Sequence, residues 1–138
     1  MLGGGNPVGG ANPTGIGKTI NYIGEHAYAY SGEVIVNNGI ETMLEFETGN
    51  AYIMAKFSYG VDRNAVLGAD KEIGFTISMD SQKVMQIVTY LNRSYSVLDF
   101  DNNYSVLIPP YTKVKIESET FEADNIPTFA MLTGRVYA

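Results

Sequence analysis

The chain has 138 residues, enough for one domain that buries about two-thirds of its unfolded surface without covalent staples. It contains no cysteine, which excludes a disulfide framework, a thiolate metal cage and a cysteine nucleophile. With 15 acidic against 9 basic side chains and a net charge of −6, it has the wrong sign for a protein that gains affinity by neutralising phosphates, so no nucleic acid partner is expected.

Residues 1–19 hold seven of the 15 glycines, two of the five prolines and one charge, Lys18. Ordering so many glycines is costly, and Val8 and Ile16 are too sparse to build a core. The sequence therefore predicts a flexible or extended arm over 1–19 followed by a folded body over 20–138. Fully extended, such an arm spans on the order of 60 Å, enough to cross a neighbouring subunit. Its first residues, Met1-Leu2-Gly3-Gly4-Gly5, offer neither the basic nor the apolar stretch of an export signal, so ordinary export is not expected. No apolar run approaches the roughly 20 residues that cross a bilayer, and membrane insertion is not expected either.

The body alternates in period two. Candidate strands are Tyr28 to Val36 with a break at Ser31-Gly32, a run in which Thr42, Leu44 and Phe46 face inward against Glu41, Glu45 and Glu47, Ala51 to Tyr59, and Ile73 to Met79. Beyond these come Lys83 to Leu91, Ser94 to Phe100, Tyr104 to Ile108, Lys113 to Glu117 and Thr128 to Tyr137. Val61 to Lys71 reads as a loop. Asn37-Asn38-Gly39, Gly49-Asn50 and Asp101-Asn102-Asn103 read as hairpin turns, and Pro109-Pro110 as a break between two strands. Eight or nine short strands without helical crossovers predict a single antiparallel β-sandwich, jelly-roll-like.

A solitary sandwich keeps its outer faces mostly polar, yet several of these strands are apolar on both sides. Tyr52 and Met54 oppose Ile53 and Phe57; Val84, Val88 and Tyr90 oppose Met85, Ile87 and Leu91; Phe129, Met131 and Tyr137 oppose Leu132 and Val136. The outer residues predict a covering partner, and Tyr52 and Met54 are assigned to a subunit interface. Tyrosine offers large contact area at low entropic cost, and ten are present without tryptophan. Tyr22, Tyr28 and Tyr30, just beyond the arm, form the expected partner-facing set, with Val8 and Ile16 as arm anchors.

Motifs for chemistry fail on spacing. Gly17-Lys18-Thr19 lacks the earlier glycine of a phosphate-binding loop, where Asn12 stands, and no helix signal follows it. Asp99, Asp101 and Asn103 begin like a calcium loop, but Tyr104 and Pro110 occupy the glycine and bidentate carboxylate positions. Glu117 and Glu119 project from one side of a strand and read as a solvated acidic edge that discourages aggregation. His26 is the only histidine and shares a strand face with Tyr28 and Tyr30, an arrangement for packing or contact. Asn92-Arg93-Ser94 and Asn103-Tyr104-Ser105 match the glycosylation triplet, a frequent chance match. No catalytic residue, metal site or cofactor is expected, and the chain is not expected to be an enzyme.

The Gly/Asn/Pro arm at Met1 to Thr19, the compact all-β body, and the ending from Leu107-Ile108-Pro109-Pro110-Tyr111-Thr112-Lys113-Val114 to Leu132-Thr133-Gly134-Arg135-Val136-Tyr137 together resemble the capsid decoration, or cement, proteins of tailed bacteriophages. The likeness is architectural over most of the chain and local over about the last 30 residues. It implies a many-copy virion protein, made in the host cytoplasm, that binds the major capsid protein on the outer surface of the head, often as a trimer. Another virion component, such as a head-fibre, receptor-binding or minor capsid module, is the alternative.

Overall fold

The computed structural model describes residues 19–61, 71–91, 104–121 and 125–137. The predicted arm with Val8 and Ile16, most of the Val61 to Lys71 loop, the Ser94 to Phe100 strand and the Asp101-Asn102-Asn103 turn lie outside the described residues. The described residues form ten strands: β1 (Asn21–Ile23), β2 (His26–Tyr30), β3 (Val34–Val36), β4 (Gly39–Glu47), β5 (Tyr52–Val61), β6 (Lys71–Met79), β7 (Gln82–Leu91), β8 (Tyr104–Ile108), β9 (Lys113–Thr120) and β10 (Ile126–Tyr137).

They form an all-β sandwich of two antiparallel sheets. The first runs β1-β2-β10-β5-β8, with β3 also pairing β10; the second runs β4-β9-β6-β7. From β3 to β10 the chain changes sheet at every step except the β6–β7 hairpin. That winding is the strand order of a jelly roll, with β1 added at one edge.

The alternation that defines the strands also builds the core. Along β9 the pattern from Lys113 to Thr120 is strict: Val114, Ile116, Ser118 and Thr120 are buried and the intervening residues are not. Ile73, Phe75 and Ile77 of β6 face Ile53, Ala55 and Phe57 of β5 across the space between the sheets, and all are buried. Aromatic rings fill its centre. Tyr59 stacks on Phe75 at 4.5 Å between centroids, Phe57 tilts against Phe75 at 6.4 Å, and Thr89 Oγ1 donates to the Tyr59 hydroxyl at 2.6 Å, satisfying a polar group inside an apolar layer.

The expected break at Ser31-Gly32 is real, and β2 and β3 act as one interrupted strand along the same edge of β10. Gly32 turns at φ 67°, a left-handed conformation that glycine adopts without strain. Ser31 N–H donates to Ala130 O, and Ala130 N–H donates to Ser31 Oγ at 2.8 Å, so the ladder is carried across the gap. A second tie holds one end of the sandwich. Thr48 N–H donates to Thr112 O, Thr112 N–H donates to Thr48 Oγ1, and Thr48 Oγ1 donates to Pro109 O, which fastens the β4–β5 turn to the Pro109-Pro110 corner.

Three expectations need correction. Asn38 has the anticipated positive φ, 42°, but neither it nor Gly49-Asn50 caps a hairpin, because β3 and β4, like β4 and β5, lie in different sheets. The described hairpin turns are Gly24-Glu25 between β1 and β2 and Asp80-Ser81 between β6 and β7. Asp80 and Ser81 have φ of 50° and 68°, the paired positive values that match strand twist in a two-residue turn. Glu117 and Glu119 belong to no edge, since β9 is flanked by β4 and β6; they stand half-buried on the outer face of the second sheet. The simple alternation of Thr42, Leu44 and Phe46 is interrupted by a bulge between Thr42 and Leu44, which turns Met43 and Leu44 both into the core.

Gly134, in β10, lies between Ala27 and Ala55 of the adjoining strands. A Cβ there would stand 2.5 Å from Met54 O and 2.8 Å from Ala55 Cα, so the backbones of β10 and β5 would have to separate. Gly134→Ala is expected to cost about 1–3 kcal/mol, measured by urea denaturation; an unchanged midpoint would show that the sheet yields freely there.

Candidate interaction surface on the first sheet

Inward residues of the first sheet fill the core, which fixes the outward set by alternation. Pairing registers align that set into ranks. Ile23, His26, Arg135, Met54 and Leu107 form one rank across β1, β2, β10, β5 and β8; Tyr28, Thr133, Lys56 and Ser105 form the next; Tyr30 and Met131 begin a third that closes on buried Ser58; and Tyr137 faces Tyr52 at the other end. Ile23, Tyr30, Tyr52, Met54, Leu107 and Tyr137 are each about half or more exposed. Side chains of this size on adjoining strands form a contiguous apolar patch, unlike a scatter of single exposed residues.

Within the patch is a shallow groove of about 550 Å³ floored by β2, β10 and β5. Tyr28 and Tyr30 line it with rings 5.6 Å apart and tilted by 42°. His26, Lys56 and Arg135 border it, with Ile23 and Met54 supplying apolar walls. Arg135 donates to Glu25 Oε2 at 2.8 Å and its guanidinium lies 5.7 Å from the Tyr137 ring centre, contacts that orient it while leaving it half exposed.

Charge is divided between the two sheets. The six strands of the first contain His26, Lys56 and Arg135 and no aspartate or glutamate, whereas those of the second carry Glu41, Glu45, Glu47, Glu72, Glu117 and Glu119. On the second sheet acids oppose lysines: Glu45 pairs in register with Lys115 and Glu47 with Lys113, and Lys115 Nζ approaches Glu117 Oε2 at 3.7 Å. Its outer face is a solvated mixture of signs, apart from exposed Ile40, Val84 and Val88.

The residues singled out in the sequence fall unequally. Tyr28, Tyr30, Tyr52 and Met54 converge on one face, although Tyr28 and Tyr30 are read as one contact set and Tyr52 and Met54 as another. Tyr22 does not join them: it points inward opposite Ala27, is 1% exposed, and belongs to the core. Burial also pushes its hydroxyl pKa above the ordinary value. Lys56, Arg135, Leu107 and Ile23 are members that sequence reasoning missed; two-residue spacing from Tyr52 and Met54 already points to Lys56. Among the described residues no group of three or more histidine, aspartate or glutamate side chains is placed to hold a metal ion, and no helix is long and apolar enough to cross a membrane. The chain matches no family model, no curated protein and no solved structure.

Two outcomes follow from which way these side chains point. Tyr30→Ser with Met54→Ser, both outward, is expected to leave unfolding free energy within about 1 kcal/mol, whereas Phe57→Ala costs about 3–5 kcal/mol; denaturant titration of the three proteins checks the contrast. Because the folded state holds the Tyr22 proton more tightly than the unfolded state, stability falls as pH rises above about 10. In Tyr22→Phe that part of the alkaline loss disappears, which parallel melting curves of both proteins across alkaline pH measure.

Proposed function

We propose that this chain is a non-catalytic virion structural protein that decorates and stabilises the outer surface of a phage capsid, binding the major capsid protein through the outer face of the first sheet. The observation that carries this reading is that contiguous apolar face on an otherwise acidic protein. A surface containing Tyr30, Tyr52, Met54, Leu107 and Tyr137 at half exposure gains by being covered, and a protein partner with a shaped apolar surface covers it best. The resemblance in arm, body and C-terminal pattern to decoration proteins supplies the identity of that partner. Net negative charge keeps unassembled copies soluble and apart.

Ordering a glycine-rich arm is costly, so the affinity of one copy is modest and repetition supplies the hold. A symmetric shell presents the same site many times, and association of decoration subunits with one another, as trimers, turns weak single contacts into avid attachment. The arm, residues 1–19 with Val8 and Ile16 as anchors, extends the contact to a neighbouring capsid subunit. The protein thus acts in the virion, after synthesis in the host cytoplasm.

Cryo-microscopy of particles from the native source is expected to show this chain in stoichiometric amounts on an icosahedral shell. In reconstitution on stripped particles, Tyr30→Ser with Met54→Ser reduces occupancy by about tenfold or more at limiting concentration, and deletion of residues 2–18 weakens attachment while leaving the β-body folded. Undiminished occupancy of the double variant removes the sheet face from the reading. Undiminished occupancy of the deletion removes the arm, and attachment to host cells or glycans in place of shells moves the chain to the fibre or receptor-binding class.

A further inference from the structure

The groove on the first sheet joins two properties. It is apolar, through Ile23, Met54 and the faces of Tyr28 and Tyr30, and it is cationic, through Lys56 and Arg135. Of nine lysines and arginines in the chain, these two are the ones carried by strands of the first sheet, and that sheet's strands bring no carboxylate beside them. Glu25, in the β1–β2 turn, pairs with Arg135 from the rim, and both side chains are more than half exposed, so the pair is easily exchanged. Among the described residues Lys56 makes no ion pair. Its register partner Thr133 and its neighbour Ser105 are neutral.

We propose that this groove binds an extended, acidic segment of a partner protein, with partner carboxylates on Lys56 and Arg135 and partner aliphatic side chains against Tyr28, Tyr30 and Met54. The inference rests on the reading of the first sheet as the docking face and specifies the chemistry of what docks there. Charge complementarity carries it. On a chain of net charge −6, the segregation of the six glutamates of the described strands to the other sheet leaves a local patch of opposite sign here, and such a patch selects carboxylates. Lys56 and Arg135 lie one rank apart on neighbouring strands, matching carboxylates at alternate positions of an extended chain. The guanidinium of Arg135 can take a carboxylate through two parallel hydrogen bonds, whereas Lys56 acts as a point charge. Ile23, Met54 and Leu107, in the same rank as Arg135, favour a protein segment over a glycan, since aliphatic side chains offer sugars no hydrogen bonds and no ring face.

The test is fluorescence anisotropy with the full chain and a labelled peptide of Leu-Ser-Glu-Ser-Asp-Ser repeats, which sets Leu, Glu and Asp on one face of an extended chain. Controls are its Gln/Asn counterpart, its Lys counterpart and a labelled oligogalacturonate. The acidic peptide is expected to bind about tenfold more tightly than the amide version at low ionic strength, and to lose about tenfold as salt rises to roughly 0.5 M. Lys56→Gln with Arg135→Gln abolishes the preference, and Lys83→Gln on the second sheet leaves it intact. Equal binding of acidic and amide peptides, or an unchanged preference in the double variant, overturns the proposal. So does preference for oligogalacturonate, which makes the groove an acidic-glycan site, or salt-sensitive self-association by sedimentation that Lys56→Gln with Arg135→Gln abolishes, which makes the occupant the second sheet of another copy. Particle binding separates the two levels. Loss of occupancy in Tyr30→Ser/Met54→Ser with full retention in Lys56→Gln/Arg135→Gln sinks this inference and leaves the docking face standing. A confirmed acidic preference without shell binding does the reverse.

Discussion

The pairing of β10 with β5 and with the interrupted β2–β3 strand is the contact on which the rest of the structure depends. β10 runs in register with β5 from Thr128 opposite Val61 to Tyr137 opposite Tyr52, and it carries β2 and β3 on its other edge. Without it the first sheet separates into three pieces with no shared hydrogen bonds, the β1–β2 hairpin, the β5–β8 pair and a lone β3. The core goes with it, because Leu132 and Val136 on β10 and Ile53 and Phe57 on β5 form one side of the buried layer that β6 and β9 cover from the second sheet. The close approach at Gly134 and the doubled Ser31–Ala130 link are local adjustments that let this strand be embraced on both edges.

That arrangement also decides where the molecule can be touched. The groove, the tyrosine pair and both cations all sit on strands that β10 joins, so the candidate surface is rigid sheet and owes little to loops. A preorganised face loses little conformational entropy on binding. The acidic second sheet contributes differently. Its glutamates and lysines oppose each other across β4 and β9, and Ile40, Val84 and Val88 stand exposed beside them. The two sheets therefore differ chiefly in the sign and pairing of their charges.

Much of this was legible from period-two patterning. The strict runs at Ile73 to Met79 and Lys113 to Glu117, the break at Ser31-Gly32, the end of β8 before Pro109, and the outward placement of Tyr30, Tyr52 and Met54 all follow from alternation and turn chemistry. What failed did so for physical reasons. Asn38 signals positive φ, but a tight turn has the same residue preferences whether the flanking strands pair or pass to opposite sheets, so local chemistry could not tell a hairpin from a crossing. Tyr22 groups with Tyr28 and Tyr30 in the sequence because all three lie just beyond the arm. The intervening Gly24-Glu25 hairpin reverses the chain, and Tyr22 emerges opposite Ala27, on the buried face. The division of charge was present in the residues yet unreadable until strands were assigned to sheets, since β3, β4 and β5 alternate between layers.

Late completion of the first sheet has a kinetic consequence. The Ser31–Ala130 link joins positions 99 residues apart, and β3 reaches its partner only when Thr128 and Ile126 are present. Contacts at such separation demand that loop-closure entropy be surrendered before they return anything, so folding is slow and close to all-or-none. During that delay the long edges of β5 and of the β6–β7 hairpin stand open to other nascent chains. Cool, dilute synthesis is the natural regime for recovering this protein in native form, and warm overproduction is the route to inclusion bodies.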